Sequence, residues 1–188
     1  MSVDFHLIAP PWGQPAVWRE ANQTVDYLIR IHRPDMDHVI AMAREIRYRL
    51  ESIFPLMDEL CSVACAWCSD RCCLRATVWI DFRDILFLHL NGLQIPPAQL
   101  IQDTNDTCCY TGHRGCTLPR LHRPWVCTCY LCPPHMTNLR KKDRPAQNRF
   151  NQTVRTIKTG RKEMEDEFIR VISEKTEAVG SLTFNLNL

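Results

Sequence analysis

Residues 33–61 read RPDMDHVIAMAREIRYRLESIFPLMDELC and carry the clearest periodic signal in the chain. Pro34 suits the first turn of a helix, and Asp35 and Asp37 favour its positive end. Apolar side chains then recur in steps of three and four residues, as on one buried face of a helix; they are Met36, Val39, Ile40, Ala43, Ile46, Leu50 and Ile53. Pro55 should kink or restart this helix, and the apolar stripe resumes up to Cys61.

Shorter elements are predicted on either side of this helix. A weak helical pattern covers residues 16–31, within an N-terminal arm rich in proline and tryptophan. Residues 76–80 (Ala-Thr-Val-Trp-Ile) have the composition of a short strand. Asp81 can cap a helix from Phe82 to about Leu90, and an Asn-Gly pair ends it.

A second long helix is predicted from about Pro145 to Lys175. Its apolar residues keep a heptad-like spacing, interrupted at Gly160-Arg161. This stripe is expected to dock on the helix of residues 35–54, and a homodimer through a coiled-coil seam is the alternative. Residues 181–188 alternate apolar and polar side chains, which predicts an edge strand.

Composition limits the class of protein. The chain has 188 residues, 45% of them hydrophobic, which suits one domain with a real core. Its start lacks the basic and long apolar segments of a signal peptide, and no apolar run approaches a membrane span. In a reducing cytosol, clustered cysteines more often ligate metal than form disulfides, and the odd total of eleven fits that view.

Eight of the eleven cysteines fall into two blocks. The first reads Cys61-Ser-Val-Ala-Cys65-Ala-Trp-Cys68-Ser-Asp-Arg-Cys72-Cys73, and the second reads Cys127-Thr-Cys129-Tyr-Leu-Cys132. Cys108, Cys109 and Cys116 lie between them. Thiolates at this spacing can converge on one soft or borderline cation, so the chain is expected to bind metal through sulfur.

The number and kind of metals stay open at this point. A closed zinc site needs four ligands in a tetrahedron, whereas a cubane iron–sulfur cluster spreads four thiolates over a wider polyhedron. The adjacent side chains of Cys72 and Cys73 diverge, so both are not expected on one zinc. Residues 93–137 are rich in proline and poor in periodicity, and a metal would organise them.

The cysteine pattern resembles the YkgJ-like CxxCxxCC family, which is described as zinc- or iron-chelating. The first part of the family motif matches Cys65, Cys68, Cys72 and Cys73, and its hydrophobic helix corresponds to residues 79–88. The closing part matches Cys109 or Cys108, then Cys116, Arg123-Pro124-Trp-Val-Cys127 and Cys132. Three residues separate Cys68 from Cys72 where the family has fewer, and Thr128 replaces an arginine. The resemblance covers residues 61–135 and implies a ligand set without a reaction.

A weaker similarity links residues 68–81 to the cysteine-rich segment of flagellin lysine methylases. That similarity implies iron–sulfur chemistry more than zinc. The chain is short for such an enzyme and has no Gly-rich cofactor-binding motif.

Histidines, acids and a basic run are further candidates for functional residues. His113, His122 and His135 lie in the cysteine region and could each replace a thiolate, although a hydrogen-bonding role is more usual for a lone histidine. Asp81 and Asp84 are explained as helix-capping acids. Residues 140–162 carry nine basic side chains against one acid. With little aromatic interleaving, this run is interpreted as a solvated helix face, and nucleic acid is not the expected partner.

The residues together predict a mainly α-helical, cytoplasmic protein with an irregular cysteine-rich centre and a long C-terminal helix. We divide the chain into an arm with amphipathic helices (1–60), a metal-binding region (61–136) and a C-terminal helix and tail (137–188). The predicted metal ligands are Cys65, Cys68, Cys72, Cys73, Cys109, Cys116, Cys127 and Cys132.

The predicted cofactor is an iron–sulfur cluster of the 4Fe-4S type, with zinc as the alternative. The corresponding functions are a cluster-binding protein, a zinc-held adaptor or a cluster-dependent modifying enzyme. A protein partner or a second copy would bind the C-terminal helix, and no membrane partner is expected. Whether any reaction is catalysed stays open.

Overall fold

The computed structural model describes residues 11–65, 68, 74, 77–113 and 115–185, and the side chains of all of these except 64 and 175–185. Most of the described chain is helical. The helices are α1 (Pro15–Ile31), α2 (Asp37–Ala64), α3 (Phe82–Leu90), α4 (Trp125–Cys129), α5 (Pro133–Arg140) and α6 (Arg144–Asn185). Two-residue strands β1 (Thr111–Gly112) and β2 (Gly115–Cys116) pair antiparallel.

Helix α2 is the centre of the fold, and it packs against α3, α5 and α6. Its predicted apolar stripe is buried from Met36 to Leu60. Phe150, Ile157 and Met164 of the α6 stripe are also buried, and α6 packs against α2. The predicted docking of the two long helices is therefore confirmed, and the fold is mainly α-helical as expected.

Pro55 lies inside α2, which is continuous from Asp37 to Ala64. The predicted restart at this residue is therefore wrong. Proline removes one backbone hydrogen bond from a helix. Here Ile53 and Met57 are buried on either side of it, so packing of the apolar face compensates for the lost bond.

Helix α3 begins as predicted from its capping residues. The Asp81 carboxylate accepts a hydrogen bond from the Asp84 backbone N–H at 2.8 Å, and the Asp84 carboxylate accepts one from the Asp81 N–H at 3.1 Å. Such a reciprocal box satisfies two donors that a helix start leaves unpaired. At the other end Gly92 takes a φ of +61°, which glycine adopts without strain.

The strand predicted from the composition of residues 76–80 is not found in its described part, residues 77–80. A side chain takes the place of a neighbouring strand. Gln99, which is buried, accepts a hydrogen bond from the Ile80 N–H at 2.7 Å and donates one to the Ile80 carbonyl at 3.0 Å. The backbone of Ile80 is thus satisfied without a sheet.

The edge strand predicted for residues 181–188 is wrong over its described part, because α6 continues to Asn185. The only sheet among the described residues is the two-residue hairpin, which offers no long edge for a tail to join. None of the helices in the described ranges combines the length and apolar content needed to cross a bilayer.

Candidate metal centre

The last turn of α2 and the first turn of α5 bring two thiols and an imidazole together. Cys61 lies in the last turn of α2, and Cys65 follows the helix directly with helical backbone angles. The Cys65 N–H donates to the Cys61 carbonyl, so the two residues share one face. His135 reaches them from α5, 70 residues further along the chain from Cys65. The three donor atoms lie within 4.8 Å of one another, and Cys65 Sγ is 3.4 Å from His135 Nε2.

His135 is a buried polar side chain, with only 5% of its surface exposed. Its Nδ1 atom is buried and has no hydrogen-bond partner among the described residues. Burial, and secondarily the charge of Arg120, lower the pKa of the imidazole. The neutral form that results is the form that binds metals.

Arg120 supports the site from the short 3₁₀ helix Arg120–His122. Its Nη2 atom donates to Cys61 Sγ at 3.6 Å, and its guanidinium also pairs with Asp58 on α2. The same guanidinium lies 5.9 Å from the centre of the Phe54 ring. Arg120 thus lies beside the Cys61 sulfur and ties the 3₁₀ helix to the end of α2.

The remaining predicted ligands of the first block lie next to this group or outside the described residues. The backbone N–H of Cys68 donates to the Cys65 carbonyl at 3.3 Å, so Cys68 follows within one turn of the end of α2. Cys72 and Cys73 lie outside the described residues. Whether either binds a metal stays a prediction.

Three other cysteines share the β1–β2 hairpin. Cys116 pairs with Thr111 in the two-stranded register, and the Thr111 N–H donates to the carbonyl of Cys108. Burial raises the pKa of the Cys108 thiol, and nearby Cys109 and Cys116 raise it further. Cys109 donates its S–H to the Gln99 carbonyl at 3.4 Å, and burial also raises its pKa. A metal must displace the protons of the Cys108 and Cys109 thiols before those thiols can bind it.

The second cysteine block forms α4 and the start of α5. Cys127 lies within α4, and Cys132 is the residue immediately before the first residue of α5. Cys129, which was not predicted to be a ligand, has a thiol pKa raised to about 11 by burial. Among the described residues, only Cys61, Cys65 and His135 form a group of three donors within 4.8 Å.

A buried ion pair fixes the segment that carries this second block. Asp84 Oδ1 accepts a hydrogen bond from the Trp125 backbone N–H at 2.9 Å and an ion-pair contact from Arg161 Nη1 at 2.9 Å. Arg161 Nη2 contacts Asp81 at 3.0 Å, and its guanidinium lies 5.9 Å from the Trp125 ring centre. The start of α4 is thereby tied to both α3 and α6.

The interpretation of residues 140–162 as a solvated helix face is wrong for Arg161. Only 3% of the surface of Arg161 is exposed. Burial raises the pKa of its partner Asp84 to about 6, although Arg161 itself favours the ionised carboxylate. Asp81 and Asp84 thus cap α3 and also bind a buried cation.

Cys61 is not among the predicted ligands, and His135 is one of three histidines that could replace a thiolate, with a hydrogen-bonding role preferred. The four-residue spacing of Cys61 and Cys65 at the end of an amphipathic helix was the available signal for Cys61. No local pattern marks His135. Comparisons of the chain with protein-family models, with curated proteins and with solved structures found no match.

Proposed function

We propose that this chain is a metal-binding protein that holds one zinc ion through Cys61, Cys65, His135 and a further thiolate. The observation that carries the proposal is the convergence of three donor atoms within 4.8 Å where α2 meets α5. The burial of His135, whose Nε2 atom lies 3.4 Å from Cys65 Sγ, adds to it.

The spacing of the donors supports a single ion. Zn–S bonds of about 2.3 Å and Zn–N bonds of about 2.0 Å put neighbouring S and N ligands of a tetrahedron roughly 3.5 Å apart. Cys65 Sγ and His135 Nε2 are 3.4 Å apart. A cubane cluster spreads its ligands more widely and takes thiolates at each iron. The mixed sulfur and nitrogen set therefore favours zinc.

Cys68 is our choice for the fourth ligand because its backbone is hydrogen-bonded to Cys65. A closed site of three thiolates and one histidine is of the structural type. Its role would be to join the end of α2 to the start of α5 and so to order the irregular segment between them.

An iron–sulfur cluster is the second candidate. The neighbouring thiols of Cys108, Cys109 and Cys116 favour it, because they form a second group of sulfur donors outside the proposed zinc site. The resemblance to the YkgJ-like family supports metal binding of either kind, and membership in that family is itself a proposal.

Anaerobic purification followed by analysis of iron, zinc and acid-labile sulfide tests both candidates. We expect about one zinc per chain, no sulfide and no visible absorption. The variants Cys61→Ser, Cys65→Ser and His135→Gln should each lose the zinc. Cys129→Ser is the matched control and should retain it, because Cys129 Sγ contacts only the Val126 carbonyl at 3.9 Å among its hydrogen-bond partners.

Iron and sulfide in near-equal amounts, retained in His135→Gln, would contradict the zinc proposal and establish the cluster. Substitution with Co²⁺ gives a second readout. Tetrahedral sulfur ligation should produce sulfur-to-metal charge-transfer bands that change on replacing His135.

A further inference from the structure

One face of α6 is basic, exposed and free of ion pairs. The positions that form it follow steps of three and four residues and carry arginine, lysine or asparagine; they are Arg144, Asn148, Asn151, Arg155 and Lys158. All five side chains are exposed. None makes a hydrogen bond or an ion pair with any residue in the part of the chain that the structure describes.

Most acids around this face have other partners. Asp143, immediately before Arg144, accepts a hydrogen bond from the Ala146 N–H at 2.6 Å. On α2, Glu45 pairs with Arg49, and at the far end of the face Asp166 pairs with Lys162. Glu165 binds Arg83 on α3. Glu163 is the nearest acid on α6 without an ion pair among the described residues, and it lines the groove between α2 and α6 with Arg155. The positive charge of the face is therefore only partly compensated.

We propose that this face binds the phosphate backbone of double-stranded nucleic acid. At about 1.5 Å per residue, Arg144 and Lys158 are roughly 21 Å apart along the helix, which is long enough to follow several phosphates. Arginine and lysine neutralise phosphates, and asparagine amides donate hydrogen bonds to phosphate oxygens.

The composition of the face selects among polyanions. Helices that lie in a membrane surface present large apolar side chains to the lipid, and the apolar stripe of α6 is buried against α2. Single strands are bound by stacking on aromatic rings, and the face contains no aromatic residue. A duplex backbone requires neither feature.

Binding of a fluorescein-labelled DNA duplex of about 20 base pairs to the intact metal-loaded chain, followed by anisotropy, tests the proposal. The variant Arg144→Gln/Arg155→Gln should bind about tenfold more weakly at ~50 mM salt. Its plot of log affinity against log salt should be shallower by about two, at roughly 0.9 per phosphate contact.

Arg19→Gln/Arg44→Gln is the matched control. It removes the same charge from two exposed arginines on α1 and α2 and should bind within about twofold of the unaltered chain. All four positions are exposed, so both variants should retain the helical circular dichroism of the parent.

Four results would overturn the proposal. In the first, the unaltered chain does not bind the duplex, and in the second, both double variants bind it equally weakly. In the third, a single strand binds as tightly as the duplex. In the fourth, the chain prefers phosphatidylserine vesicles or an acidic polypeptide to the duplex. The face contains none of Cys61, Cys65, Cys68 or His135, so failure here leaves the zinc proposal standing, and the reverse also holds.

Discussion

The two ends of α2 are stabilised by different means. Its first six turns bury residues such as Val39, Ile46 and Ile53 in the apolar core, so the hydrophobic effect holds them. In its last turn Val63 is 62% exposed and Cys61 is half-buried, and the exposed Cys65 follows directly after the helix. One continuous helix thus belongs to an apolar core at one end and to a candidate metal centre at the other.

The cysteine-rich segment, by contrast with the core, buries few apolar side chains of its own. From Cys109 to Cys132 the only buried residues among those described are Leu118, Pro124 and Thr128. The segment is tied to the body by polar contacts, namely the Asp84–Trp125 hydrogen bond and the Arg120–Asp58 pair. A metal at the end of α2 would add the missing stabilisation.

Removal of the proposed zinc ion should destabilise the cysteine-rich segment far more than the apolar part of α2. If free zinc exceeds its Kd by roughly 10,000-fold, chelation should cost about 5 kcal/mol of unfolding free energy. Hydrogen exchange should then become faster across residues 115–140, while amides of α2 before Leu60 stay protected. Equal loss of protection in both regions, or none in either, would contradict the idea that the metal stabilises only the cysteine-rich segment.

Replacement of the buried cation should be the next largest effect. Arg161→Met leaves Asp84 buried without its counter-ion and should cost about 4 kcal/mol in urea unfolding. Lys162→Met is the control, since Lys162 is exposed, and should change stability by less than about 0.5 kcal/mol. Adding Asp84→Asn to Arg161→Met should restore part of the loss; no recovery would show that Asp84 is not the charge left uncompensated.

The pH dependence of the free energy of unfolding should report the ionisation of Asp84. Burial raises the pKa of Asp84 from 3.8 to about 6, so the folded chain holds this proton more tightly than the unfolded chain. Stability from this group is complete below about pH 4 and is lost as the pH rises through 6. Relative to Asp84→Asn, the parent should lose on the order of 2 kcal/mol between these values. A difference independent of pH would rule out the raised pKa.

A substitution at the α2–α6 contact should produce the smallest effect, in the stabilising direction. Gly160 lies inside α6, and a Cβ atom built there would lie 3.6 Å from the Ile46 side chain, an ordinary contact. Gly160→Ala should therefore raise the free energy of unfolding by about 1 kcal/mol through helix propensity. Thermal unfolding measures it, and a lowered Tm would mean that the helices cannot accept the methyl group.

The long helices were predictable because their periodicity is local and strong. The spacing of Met36 to Ile53 and the Asp81 capping residue both led to helices that the structure contains. The errors arose where a local pattern depended on a distant partner. The composition of residues 76–80 suggested a strand, but Gln99 satisfies the backbone of Ile80 instead. Alternation in the tail suggested an edge strand, but the only sheet in the described residues is a two-residue hairpin, which is too short to receive it.

The candidate metal centre was predictable only in part. Sulfur ligands were expected from the first cysteine block, and the structure places Cys65 in the converging group. The partners of Cys65 were not selected, and the positions of Cys72 and Cys73 lie outside the described residues. Clustered thiols indicate metal chemistry from sequence, whereas the choice among eleven cysteines and seven histidines is a matter of distance in space.

The amphipathic helices, the capped start of α3 and the thiol-rich centre follow from the local sequence, because each depends on residues within a few positions of one another. The contact of His135 with Cys65, 70 residues apart, follows from the packing of the fold. So does the burial of Arg161 against Asp84, which is unique in its basic run. Both depend on how α5 and α6 pack against the rest of the fold, and the free energy of that packing is a sum over the whole core that no local pattern contains.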